Sequence, residues 1–241
     1  MYHQTKSILV QFISSVTQLK SDALKYLLYS GLLASLVFTT IIYLTWKFAS
    51  VAGDKIAAWI PWSWAHESMV FSFFIGLTVM VLVFMVMKYI LLILLSPLLS
   101  IISEKAEKQM TGLVGGAGFS FARSASRSVR INLRNLVKES VFTVLLLVVG
   151  LVPGINLIVL PLIFIVQAYF TGFGIMDFYL ERHFTFRQTI PMVYNNKWAA
   201  ITLGMIFMTL FFIPVVGVIV GPYFTTVTGT RYFIVKNGKI G

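Results

Sequence analysis

Two long apolar runs, 26–46 and 69–95, dominate the pattern of hydrophobic and polar positions along the chain. Each meets the roughly 20 residues needed to cross about 30 Å of hydrocarbon, which predicts two transmembrane helices. Between them, 47–68 is polar and carries Pro61 with Trp59, Trp62 and Trp64, a composition suited to the headgroup region. Ahead of them, Ile8, Leu9, Phe12, Ile13, Val16 and Leu19 recur at helical spacing. This predicts an amphipathic helix over 6–20 lying in the interface. The N-terminal stretch lacks a continuous apolar core and a small-residue cleavage site, so it does not read as a signal peptide.

The second half has shorter periods. Residues 140–152 are apolar, Pro153-Gly154 interrupts, and 155–176 continues with Pro161 inside. Residues 198–213 are apolar, Pro214 interrupts, and 215–230 continues with Pro222 inside. The limbs before the first prolines, about 13 to 16 residues, reach roughly 20–24 Å, which predicts re-entrant hairpins at 140–176 and 198–230. Val152 to Pro161 and Ile213 to Pro222 align with both prolines in place, an internal repeat offset by 61 residues. Paired Gly/Pro interruptions in corresponding halves point to a transport site, although membrane helices also tolerate Pro and Gly without one. The tip residues Pro153, Gly154, Pro214 and Gly217 are therefore candidate pore residues, with the backbone amides near Gly154 and Gly217 available to an anion.

Composition narrows the class. The chain has 241 residues, of which 58% are hydrophobic and 11% charged, against about 25% charged in soluble domains. A water-soluble enzyme and a disordered chain are both excluded. With no cysteine, disulfide and thiolate chemistry are excluded too. The expected fold is an all-α integral membrane protein forming one domain over 1–241. It has two long spans, two proline-tipped re-entrant hairpins and an amphipathic N-terminal helix. The net charge is +11, and 16 of the 19 Lys and Arg lie in 1–25, 96–139, 177–197 and 231–241. The positive-inside rule then puts both termini in the cytoplasm and 47–68 outside.

The most ordered cationic feature is Arg123, Arg127, Arg130, Arg134 and Lys138, on a basic amphipathic helix predicted at 120–138. These five fall within about an 80° arc. Such a stripe concentrates anions, or it rests on anionic lipid headgroups. Nucleic acid is not implied, because membrane orientation explains the positive excess. Lys88, inside the second span, is a functional candidate by position, and snorkelling to the cytoplasmic interface is the reading preferred here. Glu104 and Glu107 share a helical face, and Lys108 at i+4 from Glu104 predicts a surface ion pair. The three histidines are scattered, and no paired-carboxylate, phosphate-loop or metal-ligand motif appears. Gly112, Gly115, Gly116 and Gly118 read as a turn into the basic helix.

Ser96-Pro97-Leu98 followed by Glu104, Glu107 and Thr111-Gly112 resembles the segment after the second span of the CysZ sulfate permease family, within the etoposide-induced-protein superfamily. The basic helix, the Pro153-Gly154 hairpin, Asp177, His183 and the Ile213-Pro214 hairpin with Pro222 follow in the same order. The resemblance covers roughly 7–230. It implies a bacterial inner-membrane protein with two full spans and two hemi-penetrating hairpins. It also implies homo-oligomeric assembly and sulfate uptake for cysteine biosynthesis, with no ATP and no cofactor. The family's anion-binding Gly-Leu-Arg-type motif corresponds here to Asp22-Ala23-Leu24-Lys25, so the resemblance carries Leu24 and Lys25 over as anion-binding residues. It carries Glu104 and Glu107 over as pore or core residues, and Gln109 stands where the family has an arginine. Two functions follow: an anion permease for sulfate or another small anion, or a non-transporting scaffold that binds lipid or partner proteins. A membrane-embedded enzyme has the least support.

Overall fold

The second apolar run continues through its proline. In the computed structural model, which describes residues 2–17, 25–40, 43, 69–112, 120–150, 155–211, 213 and 216–238, one helix extends over Met69–Thr111. Pro97 lies inside it and offers no N–H to the carbonyl of Ile93. The Ser96 hydroxyl donates to that carbonyl instead, at 2.7 Å. The expected span of 69–95 is thus the first part of a 43-residue helix. Gly112, at φ 74°, closes it by donating its N–H to Lys108 O at 2.9 Å.

Eight helices are found among the described residues. They are α1 (Tyr2–Thr17), α2 (25–40), α3 (Met69–Thr111), α4 (Phe121–Gly150), α5 (Asn156–His183), α6 (Phe186–Asn195), α7 (Lys197–Phe211) and α8 (Val216–Lys236). The all-α expectation agrees with this. Boundaries differ in three places. The N-terminal helix begins at Tyr2 rather than residue 6. The basic helix and the first limb of the first hairpin are a single 30-residue helix, α4, because nothing between Lys138 and Ser140 breaks it. The second limbs run past 176 and 230 to His183 and Lys236. At 28 residues, α5 is about 42 Å long. Met85–Thr111 and Leu157–His183 are each long and apolar enough to cross a membrane.

The repeat is visible in the helix ends. α4 ends at Gly150 and α7 at Phe211, 61 residues apart, while α5 and α8 begin at Asn156 and Val216, 60 apart. The two pairs meet where α5 crosses α7. Ala168 and Gly172 on α5 face Ala200 and Gly204 on α7, a small-xxx-small pattern on both helices. A Cβ added at Gly172 would overlap the carbonyl oxygen of Ala200, and one at Gly204 that of Ala168, so the backbones touch. Around this crossing the core collects Leu92, Leu95 and Leu99 of α3, Phe173 and Met176 of α5, Leu203 and Phe207 of α7, and Phe233 of α8.

α1 attaches to α7 and α8 by its polar flank. Ser15 Oγ lies 3.2 Å from Thr228 Oγ1, Arg231 Nε donates to Gln11 Oε1 at 3.2 Å, and Thr202 Oγ1 donates to Thr5 Oγ1 at 3.3 Å. Ile8 is buried, whereas Leu9, Ile13 and Val16 of the same apolar stripe stay exposed on the outer side. The connection 41–68, apart from Tyr43, and hence the tryptophan cluster, lies outside the described residues.

Candidate functional site

α4 carries two stripes. Beside the cationic one, Ser124, Ser128, Asn132, Asn135, Glu139 and Thr143 recur at spacings of 4, 4, 3, 4 and 4, and all are buried. This polar face meets α3 and α5, and the antiparallel register of α4 on α5 makes it a ladder. Ser124 Oγ donates to Glu181 at 3.1 Å. Arg127 forks onto Asp177, Nη2 to Oδ1 at 2.7 Å and Nε to Oδ2 at 3.1 Å. Asn132 packs on Gly174, where any Cβ would crowd Asn132 Oδ1 at 2.7 Å. Asn135 Nδ2 donates to Phe170 O at 3.3 Å. From Ser124 to Glu139 the ladder rises 15 residues on α4, about 22 Å.

At one end stands Lys88 of α3. Its Nζ donates to Glu139 Oε1 at 2.7 Å, and Tyr89 OH donates to Glu139 Oε2 at 2.6 Å. Lys88 and Glu139 side chains are both 0% exposed. The snorkelling expectation for Lys88 is therefore corrected: a buried carboxylate one helix away removes any reason to reach for the interface. An ammonium and a carboxylate taken out of water survive only as such a pair.

At the other end the links multiply. Arg127 Nη1 also donates to Phe184 O at 2.6 Å, and Nη2 to Thr189 Oγ1 at 2.7 Å, tying α4 to the α5–α6 turn. There Thr185 and Gln188 form a capping box. Arg182 Nη2 donates to Glu107 Oε2 at 3.0 Å and to Ser103 Oγ at 3.1 Å. His183 Nε2 lies 3.0 Å from Glu107 Oε1. Ser103 in turn meets Thr230 of α8 at 2.7 Å, and Ser100 of α3 donates to Glu181.

The ladder holds Lys88, Arg127 and Arg182 against Glu107, Glu139, Asp177 and Glu181, so its charges largely cancel. Long-range attraction for anions therefore falls to exposed cations. The stripe supplies some of these. Arg123, Arg130 and Lys138 are exposed, but Arg127 is tied to Asp177 and Arg134 lies half-buried 5.1 Å over the Phe173 ring. The expectation of five equivalent cations is corrected to three exposed and two turned inward. Lys25 is exposed, and Lys105 Nζ sits 4.8 Å over the ring of its neighbour Tyr26.

The remaining candidates divide. Leu24, Pro153, Gly154 and Pro214 lie outside the described residues. Gly217 donates its N–H to Ile213 O at 2.9 Å and packs against the Leu210 carbonyl, so its amide is occupied within the tip. That corrects its expected role as an anion donor. Glu107 is in the core, whereas Glu104 is half-buried. The expected Glu104–Lys108 ion pair is not among the ion pairs of the described residues; Lys108 is exposed, and the acidic partner drawn into ion pairs from this turn is Glu107. Sequence reasoning missed Glu139, Asn132, Asn135 and Gln167. For the three on α4 the signal was a polar stripe at helical spacing, overshadowed by the arginines beside it, whereas Gln167 is a single polar residue in the apolar run of α5. Among the described residues no cluster of His, Asp or Glu suited to a metal ion occurs.

The chain matches the family described as "Sulfate transporter CysZ/Etoposide-induced protein 2.4" over residues 10–222. It is similar to two curated relatives named "Sulfate transporter CysZ", from Pseudomonas aeruginosa strains LESB58 and PAO1. Each is 26% identical over 206 residues, covering 83% of this chain and 82% of the relative. A third of the same name, from Pseudomonas paraeruginosa strain PA7, is 25% identical over the same length.

Proposed function

Because the chain belongs to the family described as "Sulfate transporter CysZ/Etoposide-induced protein 2.4", we propose that it is a bacterial inner-membrane permease for sulfate or a closely related oxyanion, feeding sulfur assimilation without ATP hydrolysis. The family is one of transporters, not enzymes. The observation that carries the reading is a match running through nearly all the described helices, residues 10–222. Two spans anchor the fold, and the pairs α4–α5 and α7–α8 act as re-entrant hairpins whose open ends lie at the cytoplasmic face with both termini. The cations of 96–139, 177–197 and 231–241 support that sidedness. The protein acts as a homo-oligomer. Lys25, in the stretch corresponding to the family's anion motif, is exposed as such a role requires. Arg123, Arg130 and Lys138 raise the local anion concentration. The buried ladder beside them gives a polar route through otherwise apolar helices, with Glu107 lining the inner end and Glu104 beside it.

The test is sulfate flux into proteoliposomes. Lys25→Gln and Arg130→Gln should each lower the initial rate several-fold, most at low ionic strength, where exposed charges act furthest. Flux no greater than in empty vesicles would refute the permease. A lipid-binding scaffold is the second reading, favoured by the exposed Leu9, Ile13 and Val16 of α1 and by Lys6 lying 5.9 Å over the exposed Tyr2 ring. It expects retention of anionic lipid that falls with salt, with no sulfate flux at all.

A further inference from the structure

We propose that Lys88, Tyr89 and Gln167 form an internal oxyanion site whose resident occupant is the chain's own Glu139 carboxylate, which a transported tetrahedral oxyanion displaces. This rests on the permease reading above and names the place inside the bundle where the substrate is held.

The donors converge on the carboxylate as they would on a bound anion. Lys88 Nζ takes one oxygen at 2.7 Å and Tyr89 OH the other at 2.6 Å. Both donors come from consecutive residues of one helix, so they are placed together and do not depend on a loop. The two oxygens of a carboxylate are spaced much as two oxygens of a sulfate are. A carboxylate has only two oxygens and a tetrahedral oxyanion four. Two further hydrogen-bonding groups of the same neighbourhood are left without a partner. Gln167 receives Lys88 Nζ on its backbone carbonyl at 3.4 Å, yet its side-chain Nε2 is buried and unbonded. Thr143 lies one helical turn beyond Glu139, and its Oγ1 is also buried and unbonded. Unpartnered groups are costly in so apolar a setting. Here they supply the donors that a four-oxygen ligand needs and a carboxylate cannot use.

The exchange avoids isolating a charge when Glu139 leaves as the neutral acid, taking up a proton from the medium as the oxyanion arrives, because a displaced carboxylate beside a dianion would itself be a buried charge without a partner. Removing a buried carboxylate from Lys88 with nothing in its place would strand an ammonium in a low-dielectric interior. Replacing one oxyanion by another keeps Lys88 paired at every stage. A dianion carries one charge more than Lys88 neutralises, and the neutral donors Tyr89, Gln167 and Thr143 take its remaining oxygens.

The experiment uses the full chain, purified and reconstituted, with radiolabelled sulfate binding and flux measured on the same preparation. Glu139→Gln removes the competing charge while keeping the shape, and should tighten sulfate binding about tenfold if the carboxylate occupies the site for some nine-tenths of the time. Lys88→Gln with Glu139→Gln removes both charges together, so it folds without a stranded ion, and it should lose the sulfate held inside the bundle, keeping only the fraction that Lys25→Gln abolishes. Gln167→Leu in the Glu139→Gln background should lose most of the gain. If the wild type carries sulfate but Glu139→Gln binds it no tighter, the site is overturned and the permease stands. The double variant binding sulfate like the wild type overturns it equally. If the wild type neither binds nor carries sulfate, both fall together.

Discussion

Replacing Arg127 by alanine tests the ladder where its geometry is most complete. The guanidinium makes four hydrogen bonds, two to Asp177 and one each to Phe184 O and Thr189. Its side chain is 12% exposed and that of Asp177 only 4%, so Arg127→Ala leaves a carboxylate buried without a counter-ion. Breaking a buried pair from one side costs about 3–5 kcal/mol. For a chain of this length 1 kcal/mol shifts the melting temperature by about 2–4 °C, so the variant should melt about 6–20 °C lower. Arg127→Lys should fall between, since an ammonium keeps the charge but not the fork. Arg127→Met with Asp177→Leu removes both charges and should recover most of the loss, because an apolar pair of similar volume is often neutral or better. The assay is thermal melting of the purified protein, followed by loss of the monodisperse species. If the single variants melt within 2 °C of the wild type, or if the double variant's loss is the sum of the singles, the pair is a surface contact of small weight and the ladder is not a closed unit.

Gly204→Val should prevent folding or cost about 3 kcal/mol or more, since its side chain would displace the Ala168 carbonyl at the α5–α7 crossing; a yield of folded protein equal to the wild type would contradict the close approach. Ser96→Ala should cost about 1 kcal/mol by orphaning the Ile93 carbonyl at the proline, and Pro97→Ala in the same chain should restore it, measured by melting.

Much of the helical content was legible because hydrophobic periodicity and proline spacing are local. The repeat at Pro153 and Pro214 anticipated where α4 and α7 end, although the prolines themselves lie outside the described residues. What could not be read was pairing across the chain. Lys88 is 51 residues from Glu139, and no pattern near either announces the other. Position in a span suggested snorkelling, and only the packing of α3 on α4 shows that the side chain has a partner. The stripe misled in a similar way. Helical geometry correctly grouped Arg123, Arg127, Arg130, Arg134 and Lys138. It could not tell that Asp177 and the Phe173 ring would claim two of them, because that depends on where α5 lies.

The glycine crossing has a mechanical consequence. Backbone in contact with backbone at Gly172 and Gly204 leaves no side-chain layer to shear, so α5 and α7 turn as one body. The two halves of the repeat are thus riveted rather than hinged. Movement is left to the other flank of α5, where α3 and α4 are held by hydroxyls, amides and ion pairs that can change partners. A fold that looks symmetric in its sequence is in this sense lopsided in its joints: one flank of α5 is joined backbone to backbone, and the other through polar side chains.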